Sequence, residues 1–89
     1  MIAVKRLVLD VLKPHAPNSL EFSRALAELG SYRVKLTVVE MDEATETLQV
    51  VVEGDHVDFE QLQARIADLG ASLHSIDEVE VVGAPEPTE

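Results

Sequence analysis

His15, Asp42, Glu43 and His74, with Asp10 brought near them by the topology, are the residues whose types and placement could do chemistry. Two imidazoles among several carboxylates are a donor set for a divalent cation. Histidine nitrogen favours zinc or another transition metal, whereas a mostly oxygen set favours calcium or magnesium. Carboxylates outnumber imidazoles in this chain. The expected ligands are therefore oxygens from among Asp10, Asp42, Glu43, Asp55, Asp77 and Glu78, with His15 or His74 at most accessory, and the expected ion is calcium or magnesium. The plainer reading of the same residues is structural. His15 is then a loop residue in Lys13-Pro14-His15-Ala16-Pro17, and His74 faces solvent or a neighbouring subunit. Asp77-Glu78 then protects a sheet edge with charge. Asp10 stands out because it lies among Val8, Val11 and Leu12. A carboxylate there must find a partner if it is buried, with Lys35, Arg6 or a neighbouring subunit as candidates, or else lie on an uncovered sheet face.

Other chemistries lack their residues. There is no cysteine, which removes disulfides, thiolate metal sites and cysteine nucleophiles. Ser19, Ser23, Ser31, Ser72 and Ser75 read as caps or turn residues, and no Gly-x-Ser-x-Gly elbow or phosphate loop occurs. Gly54-Asp55-His56 signals only a turn. Phe22, Tyr32 and Phe59 are the aromatic residues, and two of them are expected in the core, which leaves no stacking platform for single-stranded nucleic acid. No catalytic residue is assigned.

The elements that must position these side chains follow from hydrophobic periodicity. From Ile2 to Pro17, Leu7, Leu9 and Val11 alternate with Val4, Val8 and Leu12. Period two means a strand, and apolar residues on both sides make it a central one. Pro14 and Pro17 end it. Asn18 with Glu21 opens a capped helix over about 18–29, whose stripe is Leu20, Phe22, Ala25, Leu26 and Leu29, with Gly30 expected as its left-handed stop. Tyr32 to Met41 and Glu46 to Glu53 form a hairpin around the polar turn 42–45. Asp58 with Gln61 opens a second helix with the stripe Phe59, Leu62, Ile66 and Leu69, stopped by Gly70. Ser72 to Val82 is a fourth strand, with a bulge or an edge at Asp77-Glu78. Ala27-Glu28-Leu29-Gly30-Ser31 and Ala67-Asp68-Leu69-Gly70-Ala71 are near repeats, so the chain is two β-α-β halves. Right-handed crossovers then predict a ferredoxin-like α/β sandwich, βαββαβ, with an antiparallel sheet in the order 4-1-3-2 and both helices on one face. Residues 1–82 are expected as one domain and 83–89 as a mobile Pro/Glu tail.

Charge bounds the partners. The formal net charge is −10 over 89 residues. Residues 1–39 hold six basic and three acidic side chains, whereas residues 40–89 hold one basic and fourteen acidic. This balance argues against nucleic acid as a partner, and it also fits a protein made for high cytosolic salt. No apolar run approaches the ~20 residues of a membrane helix. Lys5, Arg6 and Asp10 interrupt any signal-peptide pattern. The expectation is a soluble cytoplasmic protein with no membrane partner.

Arg6-Leu7-Val8-Leu9-Asp10-Val11-Leu12-Lys13-Pro14-His15, Val52-Glu53-Gly54-Asp55 with Asp58-Phe59-Glu60, and His74-Ser75-Ile76-Asp77-Glu78-Val79 resemble the signature segments of a small, mainly archaeal family, domain of unknown function 211. The resemblance runs from Arg6 to about Val82. It implies a ferredoxin-like fold, an archaeal cytoplasm and a homo-oligomer, and it carries over no activity.

Three functions are weighed. The leading one is a non-enzymatic, self-assembling binding or regulatory module. With the helices covering one sheet face, Val4, Val8, Leu12, Val39 and Val51 are expected on the other, too much apolar surface to leave wet. The segregated charge predicts head-to-tail contacts and a closed ring larger than a dimer. The alternative is an enzyme whose site lies between subunits, with His15, His74 or Asp10 as acid–base groups. The third is a translation-factor-like exchange domain of similar size and topology, whose motifs this chain does not resemble.

Overall fold

The computed structural model describes residues 2–83, and the expected tail, from residue 84 on, lies outside the described residues. The elements run β1 (Ile2–Pro14), α1 (Ser19–Ala27), β2 (Arg33–Met41), β3 (Thr45–Glu53), α2 (Phe59–Asp68) and β4 (Ser72–Gly83). The four strands form one antiparallel sheet in the order β2-β3-β1-β4, which is the expected ferredoxin-like arrangement with β1 inside. No helix among the described residues is long and apolar enough to cross a membrane.

Strand parity builds the core. Leu7, Leu9 and Val11 of β1 lie in register with Val52, Val50 and Leu48 of β3, and all six are buried. Phe22 and Leu26 of α1 and Leu62 and Ile66 of α2 pack onto that face, so both helices cover the same side. Their starts are set by side-chain caps. Asn18 Oδ1 accepts from the Glu21 N–H at 2.9 Å, and Asp58 Oδ1 accepts from the Gln61 N–H at 3.0 Å.

Both helices end in a six-to-one bond, Tyr32 N–H to Ala27 O and Ala71 N–H to Ile66 O, each 3.1 Å. The repeat nevertheless breaks its symmetry. In the second half the left-handed residue is Gly70, with φ 83°, but in the first half it is Ser31, with φ 57°, and not the expected Gly30. Gly30 serves a different need. A Cβ there would lie 2.5 Å from the ring carbon Cζ of Tyr32. That ring is buried and held, because its hydroxyl accepts from the Asp58 N–H at 2.9 Å. Tyr32 thus ties the exit of α1 to the start of α2.

Bulges decide which side some residues face. Lys5 is extra in β1 against β4, and Asp77 and His74 are extra in β4 against β1. The Lys5 bulge turns Val4 onto the helix side, where it packs against the core. The expectation that Val4 lies on the open face is therefore corrected, because simple alternation does not survive the extra residue.

These contacts make two glycine positions unlike each other. Gly30→Ala should cost about 2 kcal/mol or more through its collision with Tyr32, whereas Ser31→Gly should stabilise by roughly 0.5–1 kcal/mol by relieving a left-handed residue that carries a side chain. Urea midpoints measure both, and equal midpoints for Gly30→Ala and wild type would contradict this account of Tyr32.

Candidate functional site

The strongest polar constellation sits where β1 leaves the sheet beside the β2–β3 hairpin. Lys13 follows Leu7, Leu9 and Val11 in phase, and Glu46 precedes Leu48, Val50 and Val52 in phase. Parity turns both inward, and they are register partners. The Lys13 side chain is fully buried. Its ammonium donates to Pro14 O at 2.8 Å, Pro17 O at 2.6 Å and His15 O at 3.4 Å. Those donors are aimed at carbonyls, so the 3.2 Å approach of Nζ to Glu46 Oε1 is an ion pair without an aligned hydrogen bond.

His15 completes the knot. Its Nδ1 lies 3.0 Å from Glu46 Oε2, and its Nε2 lies 3.0 Å from Asp42 O and 2.9 Å from Glu43 O. Every neighbour of both ring nitrogens is an acceptor, which suits the doubly protonated ring. The Glu46 carboxylate, and then the Glu43 carbonyl, hold the His15 pKa above its ordinary value, while His15 and then Lys13 hold Glu46 below the usual carboxylate range. With both nitrogens engaged, His15 offers no lone pair to a metal in this arrangement, and Asp42 and Glu43 meet it through backbone carbonyls.

The other residues named from the sequence lie elsewhere. His74 Nδ1 is 3.2 Å from Asp10 Oδ2 on the open face, where both line a shallow hollow of about 270 Å³ with Leu12 and Thr47. The partner of Asp10 is thus neither Lys35 nor Arg6. Asp77 accepts from Ser75 Oγ at 2.8 Å. Glu78 accepts from Arg6 Nε at 2.6 Å, and Glu53 from Arg6 Nη1 at 2.7 Å, and these contacts raise the Arg6 pKa, Glu78 contributing most. Asp55 lies in the β3–α2 loop, at the far end of β3 from the hairpin. Among the described residues no three His, Asp or Glu converge as a cage for a metal ion.

Sequence reasoning missed Lys13 and Glu46, although a signal existed. Two opposite charges each extend an apolar stripe, and the hairpin topology places those stripes side by side.

A family model for domain of unknown function 211, described as the uncharacterised ArCR family, matches residues 5–85. The chain belongs to this family. It is also similar to a protein of Methanocaldococcus jannaschii described as uncharacterised, with 42% identity over 80 residues that cover 89% of this chain and 82% of the relative. Both findings agree with the resemblance seen in the sequence segments, and neither assigns an activity to this family-211 chain.

The knot makes two expectations. Lys13→Met should destabilise by about 3 kcal/mol because it strips a buried carboxylate of its cation, and adding Glu46→Leu should recover much of the loss. Denaturant titrations of the two variants measure this, and a double variant no better than the single would contradict it. The second expectation concerns pH. A raised folded pKa means that the His15 contribution is full below its usual 6.5 and fades as pH rises through the higher folded value. A lowered folded pKa means that the Glu46 contribution is full above its usual 4.5 and fades as pH falls through the depressed value. Stability from the knot should therefore be greatest between these two, and His15→Ala should flatten the alkaline decline. Unfolding midpoints at pH 6 and pH 9 that change equally in both proteins would overturn this.

Proposed function

We propose that this chain is a non-enzymatic, self-assembling binding or regulatory module whose working form is a homo-oligomer built head to tail. The observation that carries the reading is where apolar surface is left exposed. The centre of the open face is less wet than alternation suggests. Val8 is only 5% exposed, between its register partners Val51 and Glu78, and Val51 is half-buried. Most of the exposed large apolar side chains lie instead on the two edge strands, Val38, Val39 and Met41 on β2 and Ile76, Val79, Val81 and Val82 on β4, while Ile2 and Leu12 of β1 and Leu20 of α1 are exposed elsewhere. Covering both edges with further copies removes this surface from water, at about 25 cal/mol per Å².

Charge supports a heterologous contact. Arg33 and Lys35 lie on β2, whereas Asp77, Glu78 and Glu80 lie on β4, at the opposite edge. A two-fold contact sets like charges together, whereas a head-to-tail contact pairs unlike ones and closes into a ring when the rotation permits. A divalent cation belongs to this reading only as a ligand of acid groups that the contact leaves without a basic partner, Asp77 among them, where it eases repulsion between copies.

Light scattering across protein concentration tests the reading. The expected mass exceeds that of two chains, and calcium or magnesium at low salt should raise the assembled fraction, less so for Asp77→Asn. A single-chain mass at every protein and salt concentration would end the proposal, and a cation response unchanged in Asp77→Asn would remove the cation from it.

A further inference from the structure

We infer that neighbouring copies join by continuing the sheet: the β4 edge of one copy pairs antiparallel with the β2 edge of the next, setting Glu80 opposite Arg33 and Glu78 opposite Lys35. This rests on the self-association proposed above and names the surfaces that meet.

Strand direction permits the contact. β2 is antiparallel to β3, β3 to β1 and β1 to β4. β2 and β4 therefore run in opposite senses, so a second copy set beside the first in the same orientation presents an antiparallel edge. Among the described residues neither edge has a further strand beside it, so both carry backbone groups open to pairing. Pairing them satisfies those groups in the manner of strand addition.

The rows across the sheet supply the register. One row reads Arg33, Glu53, Arg6, Glu80 from the β2 edge to the β4 edge. Its charges alternate, and Arg6 is already held to Glu53 at 2.7 Å. The neighbouring copy's Arg33 continues that alternation after Glu80. The row two residues along reads Lys35, Val51, Val8, Glu78, so the neighbour's Lys35 meets Glu78 in the same register. On the helix side the row between them reads Val34, Val52, Leu7, Val79, and the next reads Leu36, Val50, Leu9, Ile76. Val79 is 52% exposed and Ile76 44%, whereas Val34 and Leu36 already pack at the margin of the core. The register that sets Glu80 opposite Arg33 and Glu78 opposite Lys35 on the open side thus sets Val79 opposite Val34 between them on the helix side, and two residues along Leu36 falls opposite Asp77, the bulged residue next to Ile76.

The same charges refuse the other pairings. Two β2 edges brought together oppose Arg33 and Lys35 with their own kind, and two β4 edges oppose Asp77, Glu78 and Glu80. Charge on an edge strand ordinarily blocks edge-to-edge pairing. Because these edges carry opposite signs, the block is selective and leaves the heterologous contact open.

Two measurements test this together. Arg33→Glu and Glu80→Lys, each alone, should weaken association about ten-fold at low salt, and should restore it to within about two-fold when combined in one chain, with thermal melts verifying that each variant is folded. Because the chain has no cysteine, Arg33→Cys and Glu80→Cys each carry a single thiol. Oxidised together with diamide, which accepts the two electrons and two protons released, the mixture should form a disulfide joining position 33 of one chain to position 80 of another, well above the cross-linking of either variant alone. A wild type that assembles, with charge variants that associate as well as it does or a cysteine mixture that gives no excess of the mixed disulfide, overturns this contact and leaves self-association standing. A wild type that is a single chain throughout ends both.

Discussion

Strand parity puts the side chain of Lys13 on the same side of β1 as Leu7, Leu9 and Val11, so the central strand drives an ammonium into the end of the core. A buried cation is tolerable only if its surroundings replace water. Here the last residue of β1 and the chain just beyond it fold over the lysine and present three carbonyls, and β3 answers with the carboxylate of Glu46. Glu46 in turn fixes His15, and His15 fixes the hairpin through two further carbonyls. The exit of β1 and the β2–β3 turn are thus joined by one continuous polar network, whose members lose most if any one is removed.

At the other end of the sheet the closure is apolar and aromatic. Tyr32 is buried beside Gly30 and Gly54, and its hydroxyl accepts from the backbone of Asp58, the residue that caps α2. This contact couples the two β-α-β halves where their repeated phrases differ. Between the polar knot and the tyrosine the core needs no further polar device, because Leu7, Leu9, Val11, Leu48, Val50 and Val52 meet the helices directly. What the single chain leaves uncovered lies at the sheet's margins, since α1 and α2 meet the edge strands only near their starts, at Val34 and Leu36 of β2 and Leu73 of β4, and most of the remaining residues of both strands stay exposed.

The excess acid of the later half takes on meaning in the same frame. β4 holds Asp77, Glu78 and Glu80, whereas β2 holds Arg33 and Lys35, and the strand order sends these two segments to opposite margins. A net charge of −10 opposes random aggregation of edges that are otherwise apolar. In the proposed assembly, the local sign of each edge governs which partner is admitted.

The pattern of residues along the chain specifies the element order, the antiparallel sheet with β1 inside, both helix caps and the family, because alternation, capping residues and turn residues act over a few neighbouring positions. It also determined that opposite charges lie in different parts of the chain. It did not determine the contents of the polar site. Lys13 and Glu46 are distant in the chain, and only the β1–β3 register makes them partners. The same register sends His15 to backbone carbonyls, which no pattern of side chains records. Asp10, Asp77 and Glu78 look like a cluster when strands are read as evenly alternating. Tertiary structure distributes them to separate partners, His74, Ser75 and Arg6, because bulges at His74 and Asp77 shift β4 against β1. A single extra residue reverses the face of what lies beyond it, so which face Val4 belongs to could be decided only by the pairing of whole strands.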